Sequence, residues 1–180
     1  MSSNPLPTSR TQLLALYGEA MLAAQEFEEA LAGLLGVRRE LALIAADELT
    51  EEVQEELERL WNSLFTRTAG SLRNELGLAG GLGIAVDKAI DARNLLAHHY
   101  LRDRAVRLSQ DCLEGGDLGR LETTTERFRH LAQRLDVERF AAMHEAGLTD
   151  DEVTTPGEAR RIRYYDPRLD DEVPPEPFED

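Results

Sequence analysis

Ile84-Ala85-Val86-Asp87-Lys88-Ala89-Ile90-Asp91-Ala92-Arg93-Asn94-Leu95-Leu96-Ala97-His98-His99-Tyr100-Leu101 is the stretch on which the fold class turns. Apolar residues at 84, 86, 89, 90, 97 and 101 recur nearer a period of 3.6 than of 2, which predicts a helix. The preceding Gly80-Gly81-Leu82-Gly83 reads as a break, and Glu114-Gly115-Gly116 as the stop, so this helix is expected to run to about Leu113. Upstream, Leu13, Leu14, Tyr17, Ala20, Met21, Ala24, Phe27, Leu31 and Leu34 form a helical stripe from about residue 9 or 11 to Leu35, with Gly33 and Gly36 marking a fraying end. Where the chain breaks between Val37 and Asp47 is left open by the pattern. Thr50 reads as the N-cap of a second helix, whose stripe is Val53, Leu57, Leu60, Trp61, Leu64 and Phe65. The connector from Thr68 to Gly83 has room for a short helix from Ser71. Downstream, Asp117 reads as a cap before Leu118, Leu121, Thr125, Phe128, Leu131, Ala132 and Leu135, a pattern that continues to Phe140, Met143 and Gly147. No strand signal and no internal repeat compete with these helices. The expected fold is all-α: an up-and-down bundle of four to five helices over residues 9–147.

Composition narrows the rest. A chain of 180 residues suits one domain. The single cysteine, Cys112, excludes an intrachain disulfide and fits a reducing cytosol, and it reads as a packing residue rather than a nucleophile. No targeting segment and no run of about 18 apolar residues appears, so a cytoplasmic protein with no membrane partner is expected. Residues 148–180 hold eleven acids against four arginines and five prolines, and read as an acidic, disordered tail unable to bury a core. The net charge of −15 argues against nonspecific nucleic-acid binding. Locally the sign reverses: Arg93, Arg102, Arg104 and Arg107 stand against Asp103 alone.

The chemistry is concentrated in Arg93-Asn94-Leu95-Leu96-Ala97-His98-His99-Tyr100. An arginine, a carboxamide, two imidazoles and a phenol are costly to bury unless partnered. On a helix Asn94 and His98 share a face, whereas Arg93 and His98 diverge by about 140°. A two-fold axis beside the helix, or a distortion at His98-His99, would let them converge.

Arg93-Asn94, then His98 and Tyr100, resembles the signature of HEPN-domain proteins, an all-helical and usually dimeric family with many metal-independent endoribonucleases. The resemblance implies that His98 acts as general base or acid, that Arg93 stabilises the phosphate with help from Asn94, and that no metal or cofactor is needed. It implies an RNA substrate, a homodimer, and a role as a toxin or phage-defence effector. In HEPN toxins paired with a minimal nucleotidyltransferase antitoxin, the tyrosine matching Tyr100 is the site of adenylate transfer. His99 is a second candidate for site support.

Other readings stand beside these. Arg93 suits a salt bridge with Asp87, Asp91 or Glu75, and His98 suits a structural histidine. The Tyr100 ring suits packing, with its hydroxyl bonded to a neighbouring helix. A metal held by His98, His99 and Asp103 is disfavoured, because adjacent imidazoles point about 100° apart. Glu26, Glu28 and Glu29 read as a solvated face. Trp61 and Phe65 both read as core. A HEPN-like bundle serving as a non-catalytic interaction or ligand-binding module is the alternative to the enzyme. The acidic tail is expected either to compete with RNA for the arginines at 102, 104, 107, 127, 129, 134 and 139, or only to aid solubility.

Overall fold

A computed structural model describes residues 10–45, 50–106 and 115–147. Cys112, Arg107, the expected helix end at Leu113 and the acidic tail lie outside the described residues. Within them the chain forms helices α1 (Arg10–Ala45), α2 (Glu51–Leu64), α3 (Ala69–Leu76), α4 (Gly80–Leu95) and α5 (Gly115–Glu145). Between α4 and α5 the helix widens into a π-helical turn, Leu96–Tyr100, and closes with one turn at Leu101–Asp103. Among the described residues there is no strand, and no helix is long and apolar enough to cross a membrane.

The fold is the expected up-and-down bundle. Helix α1 is its spine, and α5 packs along it more extensively than any other helix does. Contacts give the directions. Phe27 stacks on Phe128, and Gly33 lies against Arg139, so α5 runs parallel to α1. Glu28 meets Arg93 while Tyr17 meets Leu96, so α4 runs antiparallel. Helices α3 and α5 pack chiefly on α1 rather than each on its predecessor, and α5 covers most of the length of α1. The core is one cluster holding Leu13, Phe27, Leu31 and Leu34 of α1, Trp61 and Leu64 of α2, Leu72 of α3, Val86 and Ala89 of α4, and Leu121, Phe128, Leu135 and Met143 of α5.

Several boundaries differ from the sequence expectation, each for a local reason. Helix α1 does not fray at Gly33 and Gly36 but continues to Ala45. A Cβ on Gly36 would fall within van der Waals overlap of the Trp61 ring, and one on Gly33 would crowd Arg139. These glycines are sites of close approach rather than helix stops. The Thr50 cap is present, its hydroxyl accepting from the Val53 amide at 3.4 Å. Phe65 is not core: it caps the end of α2 and is 48% exposed, while Trp61 is buried. The short helix in the connector is α3, capped by Thr68 and ended by Gly77 in the left-handed region. Gly80 to Gly83 form the first turn of α4 rather than a break, because the buried Gly83 lets the helix start press on the Leu78 carbonyl. Asp117 lies inside the first turn of α5 and is not its cap.

Gly36→Ala is expected to cost about 1–3 kcal/mol, because the buried indole must shift. Gly18→Ala, on an open part of the same helix, is expected to be neutral or to gain up to about 1 kcal/mol. Urea unfolding followed by circular dichroism measures both.

Candidate functional site

The motif sits where α4 stops being an α-helix. Arg93 and Asn94 close its last regular turn, and His98, His99 and Tyr100 belong to the π-helical turn that follows. Single π turns inside helices widen the spacing of successive side chains and are frequent at functional positions. A side chain from outside reaches this one: the Tyr17 hydroxyl donates to the Leu96 carbonyl at 3.2 Å. Such an intrusion on a helix carbonyl is one cause of departures from regular geometry. A distortion at the two histidines, one of the two ways of relieving their divergence from Arg93, is therefore present.

It does not join them. The Arg93 guanidinium turns inward to α1, where its Nε lies 2.6 Å from a Glu28 carboxylate oxygen. Its Nη1 also donates to Asn94 Oδ1 at 3.4 Å. Asp87 and Glu75, two of the acids expected for Arg93, are taken elsewhere: Asp87 pairs with Arg73, and Glu75 with Arg39 and Arg67. Those arginines hold both carboxyls below the usual carboxylate range, chiefly through side-chain hydrogen bonds. Glu28 is correspondingly not the solvated residue its neighbours suggested. The sequence held no signal for this pairing, since 65 residues separate the partners.

His98 and His99 are both exposed, their rings edge to face at 6.3 Å. Arg102 Nη2 lies 2.6 Å from His99 Nδ1. Arginine can only donate, so Nδ1 accepts and the neutral ring carries its proton on Nε2. His98 has no such restraint, and no hydrogen bond, ion pair or ring contact links it to Arg93 among the described residues. No group of three or more His, Cys, Asp or Glu side chains is gathered for a metal among those residues.

Tyr100 faces the other way. It is 4% exposed, stacks on Tyr17 with ring centroids 5.8 Å apart, and donates its hydroxyl to the Asp117 carbonyl of α5 at 3.3 Å. The Arg104 guanidinium lies 3.9 Å over its ring, a cation–π contact. Arg104 also donates to the buried Asp117 carboxylate at 2.9 Å and to the Tyr100 carbonyl at 3.3 Å. Of the two sequence readings of Tyr100, packing with a hydroxyl bonded to a neighbouring helix describes its place in the fold. Arg104 and Asp117 were not foreseen as partners. Removing either would leave a buried, uncompensated charge, at about 3–5 kcal/mol.

Beside this network a groove of about 580 Å³ opens between α4 and α5. Leu95, Leu96, Tyr100, Arg104, Arg120 and Arg127 are among its walls.

No protein-family model matches the chain, and searches for similar curated proteins and solved structures return no significant match.

Burial pushes the Tyr100 phenol above its ordinary value, with Asp117 adding to the rise and Arg104 opposing it. The fold therefore favours the neutral phenol. That stability is whole below about pH 10, where an unfolded tyrosine titrates, and is lost as pH rises through the higher folded value. Urea titrations from pH 9 upward are expected to show a steeper loss for the native chain than for Tyr100→Phe.

Proposed function

We propose that the chain is a metal-independent endoribonuclease of the HEPN type, working as a homodimer. The observation that carries this is the position of the motif: Arg93, Asn94 and His98 lie at the surface end of one helix, across a π turn, in an all-α bundle. His98 takes the proton of a 2′-hydroxyl, whose oxygen attacks the adjacent phosphorus while the 5′-oxygen leaves and is protonated. The product is a 2′,3′-cyclic phosphate. An imidazole can both take and return a proton, which suits His98 to both halves of the step. Arg93 stabilises the charge on the phosphate. Its side chain is 31% exposed and that of Glu28 is 25% exposed. A partly exposed pair is worth only about 1 kcal/mol or less, so exchanging Glu28 for a phosphate costs little. Asn94, exposed one turn before His98, orients the imidazole or a phosphate oxygen.

A second copy completes the site. Ile84 and Leu95, 59% and 53% exposed, lie eleven residues apart on α4 and so on nearly one stripe. This apolar strip leads to the exposed histidines and suits a two-fold contact, through which the partner's His98 serves as acid to the first copy's base. A toxin or phage-defence role, a cytoplasmic setting and a nucleotidyltransferase antitoxin belong to the same reading. For such an antitoxin to modify Tyr100, the phenol must leave its place against Asp117.

The alternative, a non-catalytic bundle that binds a ligand or partner, is favoured by two observations. Arg93 is already paired within the chain, and Tyr100 is committed to packing.

His98→Ala and Arg93→Ala are each expected to lower cleavage of a mixed RNA substrate in EDTA by about a hundredfold or more, with the helical signal unchanged. His99→Ala should matter less. Cleavage by both variants at the native rate would leave only the non-catalytic reading.

Sedimentation at tens of micromolar is expected to show a dimer that Ile84→Glu dissociates, with loss of cleavage. A fully active monomer would sink the composite site.

A further inference from the structure

Apart from Leu95 at its edge, the groove between α4 and α5 is lined by residues that the proposed chemistry does not use. Its floor is apolar, with Ala92, Leu95, Leu96 and Leu121. Thr123 and Thr124 line it too, but their hydroxyls donate to the carbonyls of Gly119 and Arg120, four residues back. Their methyl groups are thereby the ordinary contact surface. Leu95 is 53% exposed at the edge of this floor. Among the described residues its charged walls are all basic. Arg104 is occupied by Asp117, whereas Arg120 and Arg127 are exposed and form no ion pair among the described residues. They stand seven residues apart, two turns along one stripe of α5. Glu122 and Glu126 of the same helix do not line the groove.

A ligand for such a surface is an extended strip with apolar side chains and several negative charges. The chain itself carries one. Residues 169–180, Leu-Asp-Asp-Glu-Val-Pro-Pro-Glu-Pro-Phe-Glu-Asp, hold six acids and no base, with Leu169, Val173 and Phe178 between them. Three prolines limit the backbone freedom lost on docking. Elsewhere the body repels this strip: of 20 basic and 35 acidic residues in the chain, residues 1–147 keep sixteen and twenty-four. The reach is sufficient. From Gly147 back along α5 to Thr123 is about 36 Å at 1.5 Å per residue. The intervening residues 148–168 can span about 70 Å when extended. Tethering places the strip at an effective concentration in about the millimolar range, so modest affinity is enough.

We propose that residues 169–180 dock in cis in the groove between α4 and α5, their carboxylates on Arg120 and Arg127 and their apolar side chains on Ala92 and Leu96, with Leu95 at the edge left to the two-fold contact. Leu96 and Tyr100 belong both to the groove and to the π turn, so the docking surface is continuous with the end of the motif helix. The docking itself does not depend on the proposed ribonuclease activity.

The test is photo-cross-linking in the full-length chain carrying Phe178→p-benzoylphenylalanine. Cross-links are expected within one chain, at Ala92 to Leu96 and Leu121 to Arg127. Arg120→Glu with Arg127→Glu should reduce them by about fivefold or more, as should about 1 M salt, which shortens the range of charge interactions to about 3 Å. Adding Asp170→Lys, Asp171→Lys and Glu172→Lys to the reversed arginines should restore them. Arg120→Gln with Arg127→Gln gives the same readout should the reversed variant lose its helical signal. Cross-links scattered over the surface, or unchanged by either arginine pair, overturn the proposal. So do cross-links only between chains that vanish on dilution, which would make the groove a contact between copies. Fluorescent RNA whose binding both arginine variants abolish while the cross-links persist would assign the groove to nucleic acid and overturn it as well.

Discussion

Everything in this bundle depends on the face-to-face packing of α1 against α5, centred on the Phe27 and Phe128 rings at 5.9 Å. Small residues make the approach possible: Ala20, Ala23, Ala24, Ala30 and Ala32 are all buried on α1. Where a helix presents alanine, a neighbour can bring a ring or a leucine close, and the gain is dispersion contact as well as area removed from water. The same device at Gly36 seats Trp61 and ties α2 to the spine. Helices α2 to α4 then have little choice of position, because each must cover what α1 leaves open.

That arrangement also sets the electrostatics of the motif. Helix α4 lies antiparallel to α1, which carries Arg93 to Glu28 and brings Tyr100 onto Tyr17. Tyr100, Arg104 and Asp117 then bind the end of the motif helix to the start of α5 across the residues that connect them. A buried carboxylate is tolerated there for two reasons. The Arg104 guanidinium neutralises it, and the first turn of a helix favours negative charge. The π turn is held between these two anchors. Its histidines are left at the surface while the tyrosine of the same turn is buried, a division of roles that one widened turn makes possible.

Residues adjacent in the motif therefore differ in how freely they can serve a ligand. His98 is exposed and unrestrained, His99 is fixed by Arg102, Arg93 is partly committed to Glu28, and Tyr100 is fully committed to packing. The arginines divide in the same way. Arg139, expected as part of a basic surface, is 8% exposed, pairs with Asp136 and lies against Gly33. Arg120 and Arg127 line the groove and, among the described residues, form no ion pair.

Local pattern by itself determined the helices, because their information is local: apolar spacing, the Thr50 cap and the absence of alternation depend on neighbours in the chain. It also marked the run from Arg93 to Tyr100 as unusual, since polar groups at that density demand partners. It misplaced the end of α1 and the start of α4, because a glycine can serve as a stop or as a close contact and sequence alone does not distinguish them. Only the tertiary structure decided that Glu28 rather than Asp87, Asp91 or Glu75 holds Arg93. Only it decided that Phe65 is exposed, that Asp117 is buried under Arg104, and that the motif turn is π-helical. The physical reason is the same each time. These are choices between partners distant in the chain, and they are made by the direction in which two helices pack.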